Sequence, residues 1–115
     1  MNLKECYEKM GGNYNDVMSR LQNELLITTI VKKVLSDNSY QLLQEGMENN
    51  DVRLAFKGAH RLKGICMNLS FKQLSDDVSK LTEILRTGTF ENTSDLYKKV
   101  SNVYKESVAI IKELD

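Results

Sequence analysis

The sequence predicts an all-α fold, an antiparallel up-and-down four-helix bundle with short extra N-terminal helices. Proline is absent and only six glycines interrupt 115 residues, which favours long helices because proline breaks helix interiors. Apolar residues also recur at alternating spacings of three and four, which places them on one face of a helix. No β pattern, repeat or linker competes, so we expect a single domain over residues 1–115.

The N-terminal part of the chain is predicted to form two short helices. Residues 2–10 form the first, and Gly11 and Gly12 end it because glycine tolerates the left-handed conformation of a helix C-cap. Asn13 is a candidate cap for a second helix that leads to Leu21.

A third helical pattern runs from Asn23 to Leu35, and residues 37–39 are a candidate break in it. The pattern resumes from Tyr40 to Met47 and ends in the polar turn at residues 49–51. We take the next segment, residues 51–69, as one amphipathic helix.

The C-terminal half contains two further apolar seams. The first comprises Phe71, Leu74, Val78, Leu81 and Leu85 and stops at Gly88. The second comprises Leu96, Val100, Val103, Ser107, Ile110 and Leu114. Both have the spacing of helices packed against a common core.

The helix over residues 51–69 has two distinct faces. At about 100° per residue, the following residues fall in one apolar sector that we expect to be buried: Val52, Ala55, Ala59, Leu62, Cys66 and Leu69. His60 projects roughly 130° from the middle of that sector, so we expect it to face water or a partner. The face around His60 combines cationic and apolar residues: Arg53, Phe56, Lys57, Lys63, Gly64 and Met67.

His60 is the only histidine in the chain, and Lys63 and Gly64 follow it three and four positions later on the same face. Each residue alone has an ordinary interpretation: His60 as a polar surface residue, Lys63 as a solvated charge and Gly64 as a close contact between helices. Glycine costs about 1 kcal/mol relative to alanine in a helix interior, so something should compensate for Gly64. An imidazole beside a lysine and an unobstructed glycine is suited to carrying a phosphoryl group.

These residues resemble the histidine-containing phosphotransfer (HPt) domains of phosphorelays. The family pattern A-H-x-L-K-G-x-x-x-N-L-G is matched by Ala59, His60, Leu62, Lys63, Gly64, Asn68 and Leu69. The resemblance is strongest over residues 51–87. The chain has Ser70 where the family pattern ends in glycine, and this difference should affect the turn rather than the chemistry. Ser70 and Gln73 also form a capping-box pattern that would start the next helix.

The resemblance implies that His60 is phosphorylated by the aspartyl phosphate of a response-regulator receiver domain and passes the group to another receiver. Lys63 would neutralise the phosphoryl oxygens. Gly64 would leave room for the receiver, and Phe56 and Met67 would form the apolar part of the docking surface, with Lys57 adding positive charge. Mg²⁺ would come from the receiver, so no cofactor of the chain's own is expected. A hybrid sensor kinase is a further candidate partner, but no nucleotide-binding motif suggests autophosphorylation with ATP.

Composition excludes other classes. A net charge of zero, from 16 basic and 16 acidic residues, argues against a nucleic-acid binder. No apolar run is long enough for a membrane span and no signal-peptide pattern is present, so we expect a cytoplasmic monomer without membrane partners. Cys6 and Cys66 are expected to be reduced thiols. A metal site is not expected from one histidine and two cysteines.

Charge is unevenly distributed along the sequence. No basic residue lies between Lys33 and Arg53, whereas the His60 helix carries Arg53, Lys57, Arg61 and Lys63, of which Arg61 points away from His60. We expect this field to favour a phosphoryl group and an acidic partner cleft.

Three other interpretations of the sequence compete with this one. A hydrolase is disfavoured because His60 has no carboxylate three or four residues away in its own helix. A helical-bundle adapter that binds a signalling partner without being phosphorylated is the main alternative. The third is a phosphotransfer domain cut from a larger sensor kinase.

Overall fold

The computed structural model describes residues 1–115 and contains only helical elements, which confirms the all-α class. The helices are α1 (Leu3–Met10), α2 (Tyr14–Leu21), α3 (Glu24–Lys33), α4 (Ser39–Glu48), α5 (Val52–Asn68), α6 (Lys72–Arg86) and α7 (Ser94–Ile111). A short 3₁₀ helix (Val34–Ser36) follows α3, so the predicted break before Tyr40 is present. None of the helices has the length and apolar composition needed to cross a bilayer.

Side-chain caps explain where several helices begin. Asn2, Asn13, Asn23 and Asp51 each accept a hydrogen bond from the backbone N–H three residues later, and so start α1, α2, α3 and α5. Such a cap contributes about 1 kcal/mol relative to alanine. The predicted role of Asn13 is confirmed. Gly11 ends α1 in the left-handed conformation, with φ of 68°.

Helices α4, α5, α6 and α7 pack in chain order, each on the next, and α1 packs against α7. The α4–α5 contact is very close: a Cβ at Gly46 would lie 2.2 Å from the backbone nitrogen of Ala55, and one at Gly58 2.2 Å from that of Leu43. From the first pair to the second, the residue number falls along α4 (46 to 43) and rises along α5 (55 to 58), so the two helices are antiparallel. Neither glycine has a role that is predicted from the sequence.

The core is one cluster of 25 buried apolar residues. All five members of the Phe71–Leu85 seam belong to it, as predicted. The predicted seam of α7 also packs against the core, although Leu96 and Ile110 are only half-buried, whereas Ile111, which was not predicted to belong to it, is buried. A spacing of four after Ser107, rather than three, brings the side chain back toward the core.

The predicted capping box at Ser70 is wrong. Helix α6 follows Phe71, whose side chain makes no cap hydrogen bond. The hydroxyl of Ser70 instead donates to Asp16 (2.5 Å) and accepts from Arg20 (2.6 Å), both on α2. Bonds to charged partners are stronger than a bond to a neutral backbone N–H, which accounts for this choice.

The N-terminal helices hold the turn between α5 and α6. The hydroxyl of Tyr7 donates to the carbonyl of Leu69 at 2.7 Å, and the backbone N–H of Asn13 donates to the carbonyl of Ser70 at 2.8 Å. The C-terminal end of α5 is therefore fixed by contacts from α1 and α2.

Both cysteines are free and buried. Burial raises the pKa of the Cys6 thiol and raises the pKa of the Cys66 thiol to about 12. Both side chains therefore remain protonated and act as small apolar groups of the core.

Candidate functional site

Helix α5 presents the two faces that its sequence predicts. The apolar sector is buried except for Val52, which is half-buried because it lies in the first turn of the helix. His60 is exposed on the other face, as the helical periodicity predicts.

The ring of His60 stacks on Phe56, one turn earlier in α5. The ring centroids lie 5.6 Å apart and the planes are 20° from parallel. Phe56 is half-buried and also receives the Arg86 guanidinium of α6, whose central carbon lies 5.0 Å from the ring centroid. An aromatic platform thus restrains His60 while the residue remains exposed.

Lys63 is paired rather than free. Its Nζ lies 3.7 Å from Oε1 of Glu83 on α6, and its side chain is only 25% exposed. Glu83 is also bound by Arg86, at 3.2 Å from Nε and 3.4 Å from Nη2. The hydrogen bond and charge of Arg86, with a smaller effect from Lys63, lower the pKa of Glu83 and keep it ionised.

Gly64 lies on open surface. No atom of the chain lies within 4 Å of the position that its Cβ would occupy, unlike Gly46 and Gly58. The interpretation of Gly64 as a close helix contact is therefore wrong. Of the other residues assigned to docking, Lys57 is exposed and Met67 is 56% exposed.

The remaining cations of α5 are distributed as the helical wheel suggests. Arg53 is exposed, and the guanidinium of Arg61 donates to the side-chain oxygen of Asn38 at 3.2 Å, so it is turned toward the link before α4. The positive field around His60 is weaker than its helix alone suggests, because α6 brings Glu83 to Lys63.

Glu83 and Arg86 are the site residues that the sequence analysis missed. A helical wheel of α5 shows only the neighbours of His60 within its own helix, whereas both of these residues belong to the neighbouring helix α6. Their spacing of three residues on the polar side of the α6 seam was a usable signal, since such pairs lie adjacent on a helix surface.

The turn that follows the site has an unusual conformation. Ser70 has φ of 57°, in the left-handed region where glycine is favoured, at the position where the family pattern has glycine. Arg20 donates to the carbonyl of Asn68 at 2.7 Å as well as to Ser70, and is paired with Asp16 at 3.2 Å. The hydrogen bond from Ser70, and then that from Arg20, lower the pKa of Asp16.

His60 lines none of the cavities of the molecule. The largest, of about 710 Å³, is an open one lined by residues that include Glu48, Phe90 and Tyr97. Lys63 and Met67 border another, of about 550 Å³, without His60. The imidazole is therefore exposed outside the cavities of the molecule.

Comparison of the chain with family models, curated proteins and solved structures gave no match in any of the three. No group of three or more His, Cys, Asp and Glu side chains is arranged to hold a metal ion.

Proposed function

We propose that the chain is a histidine phosphotransfer protein in which His60 carries a phosphoryl group between aspartates of response-regulator receiver domains. The observation that carries this proposal is Gly64. Glycine in the interior of this 17-residue helix costs about 1 kcal/mol, and nothing in the chain occupies the space that it leaves. Its position one turn after an exposed histidine favours the close approach of a partner.

In the proposed reaction, a neutral ring nitrogen of His60 attacks the phosphorus of the receiver's aspartyl phosphate. The bond from phosphorus to the aspartate oxygen breaks, and the carboxylate leaves with its electron pair. A nitrogen–phosphorus bond forms, and the ring keeps the proton on its other nitrogen, so charge balances without a further proton. Mg²⁺ is expected on the receiver. Transfer of this kind depends on positioning and charge neutralisation.

The surroundings of His60 fit this role. The stack on Phe56 limits the orientations of the ring, and Lys63 supplies a cation one turn along the same face. The ring of His60 has no carboxylate or hydroxyl partner, which disfavours a nucleophile-and-base pair for hydrolysis.

The proposal includes a specific architecture, with α4 to α7 as the antiparallel four-helix bundle and α1 to α3 as the additional N-terminal helices. The antiparallel α4–α5 contact and the serial packing of α4 to α7 support it. It also includes a cytoplasmic, monomeric protein that acts on receiver domains, with a hybrid sensor kinase as a further partner and without nucleic-acid or membrane partners.

The first test is incubation with receiver domains that carry a ³²P-labelled aspartyl phosphate. We expect label in this chain that is acid-labile and base-stable, as phosphohistidine is, and absent from His60→Gln. Lack of label with several receivers, while helical circular dichroism is retained, would contradict the proposal.

Gly64 provides a matched pair of variants for the docking step. Gly64→Gln should slow transfer from a receiver about tenfold or more, because the long side chain obstructs its approach, whereas Gly64→Ala should have a much smaller effect. Phosphoramidate, a small phosphoryl donor, should phosphorylate both variants at the wild-type rate. Equal rates from the receiver would remove the argument based on Gly64.

A non-phosphorylated adapter is the alternative, and exposed apolar side chains favour it. Leu25 is 78% exposed and Met67 is 56% exposed, so both apolar side chains are accessible to a partner. Partner binding that persists in His60→Gln, without any phosphorylation of the wild type, would favour the adapter.

A further inference from the structure

We propose that Glu83 is a positioning residue that holds Lys63 while His60 is unmodified and releases it to the phosphoryl group once His60 is phosphorylated. This inference rests on the proposed function and adds a residue from α6 to its site. Four contacts link five side chains in series around the phosphorylation site: His60, Phe56, Arg86, Glu83 and Lys63.

The two cations hold Glu83 unequally. Arg86 binds both carboxylate oxygens, at 3.2 Å and 3.4 Å. Lys63 lies 3.7 Å from one of them, beyond hydrogen-bond distance. Lys63 is therefore the partner that Glu83 gives up more easily.

Release of Lys63 leaves no charge unpaired. Arg86 remains on Glu83, and Arg86 is itself held against the ring of Phe56. A phosphoryl group carries nearly two negative charges against one for a carboxylate, so it attracts Lys63 more strongly at a similar distance.

The position of Lys63 makes the exchange a short movement. Lys63 lies three residues after His60 in α5, so the bases of the two side chains are neighbours on the helix surface.

The test compares Glu83→Gln with Glu106→Gln, an exposed residue of α7 that undergoes the same change of charge. Each protein is phosphorylated with phosphoramidate, and the pKa of the phosphoryl group is followed by ³¹P NMR. Without competition for Lys63, Glu83→Gln should lower that pKa by about 0.5, and Glu106→Gln should leave it unchanged. Equal values in the wild type and Glu83→Gln would overturn the inference.

A second measurement shows whether Glu83 acts through Lys63. The equilibrium division of the phosphoryl group between a receiver and His60 should shift toward His60 by about two- to fivefold in Glu83→Gln. The shift should disappear when Lys63→Ala is also present, and Glu83→Asp should restore part of the wild-type behaviour. A shift of equal size without Lys63 would mean that Glu83 acts by direct repulsion, and would overturn the inference.

The two proposals fail differently. If receivers do not phosphorylate the chain but phosphoramidate does, the phosphorelay role fails, while the ³¹P measurement still decides whether Glu83 competes for Lys63. If receivers phosphorylate His60 and Glu83→Gln changes neither measurement, only the role of Glu83 fails. If neither donor modifies His60, both proposals are wrong.

Discussion

The imidazole of His60 lies nearly parallel to the phenyl ring of Phe56, with 5.6 Å between centroids. Phe56 is four residues earlier in α5, so the helix itself brings the rings together. Aromatic pairs contribute about 0.5–1.5 kcal/mol beyond the area that they bury. An exposed side chain that would otherwise sample several rotamers is thereby restrained before any partner arrives.

His60→Gln is expected to remove phosphorylation with little loss of stability. The ring is exposed, so only its stack on Phe56 is lost, and the free energy of unfolding should fall by no more than about 1 kcal/mol. Urea denaturation measures this change. A loss of several kcal/mol would show that His60 supports the core, contrary to its position.

Phe56→Leu should lower the free energy of unfolding by about 1 kcal/mol, because the aliphatic side chain keeps the apolar contact but loses both ring interactions. In the Arg86→Met background, the loss of stability caused by Phe56→Leu should be smaller by about 0.5 kcal/mol, because the guanidinium contact is already absent. Equal losses in the two backgrounds, measured by denaturation, would show that the Arg86 contact contributes nothing.

Gly64→Ala and Gly58→Ala should change stability in opposite directions. A methyl group at Gly64 meets no atom, so improved helix propensity should raise the free energy of unfolding by about 1 kcal/mol. A methyl group at Gly58 would lie 2.2 Å from the backbone nitrogen of Leu43, so α4 and α5 must separate at a cost of about 2 kcal/mol or more. A destabilised Gly64→Ala would reveal an internal role for Gly64.

Ser70→Ala should destabilise the protein more than Ser70→Gly. Both variants lose the hydrogen bonds to Asp16 and Arg20, worth about 1–2 kcal/mol. Only glycine relieves the left-handed backbone, at φ of 57°, which recovers about 1 kcal/mol. Thermal or urea unfolding of the two variants should give this order, and the reverse order would contradict it.

Acidification should destabilise the wild type more than Ser70→Ala. The pKa of Asp16 is lowered in the folded protein, first by the hydrogen bond from Ser70 and then by Arg20. A lowered folded pKa gives stability that is present above the ordinary aspartate pKa of about 3.9 and is lost as the pH falls through the folded value. When the free energy of unfolding is measured from about pH 5 downward, the curves of the wild type and Ser70→Ala against pH should converge. Parallel curves would show that Asp16 is not the responsible group.

Local patterns in the sequence determined the class of fold and the exposure of His60. Helical periodicity repeats every few residues, so the sequence itself specifies which face of α5 is apolar and that Lys63 and Gly64 lie beside His60. The cap at Asn13 was predictable for the same reason, since its bond is to a backbone group three residues away. The phosphotransfer role remains a proposal drawn from these residues.

Only the tertiary structure decided which residues of other helices meet this face. Periodicity orients a side chain but does not specify the register of two packed helices, which depends on how their side chains interlock. Glu83 and Arg86 therefore reach Lys63 and Phe56 without any local signal in α5. Ser70 likewise binds charged groups fifty or more positions away in the sequence, because those bonds are stronger than the local cap that its sequence suggests.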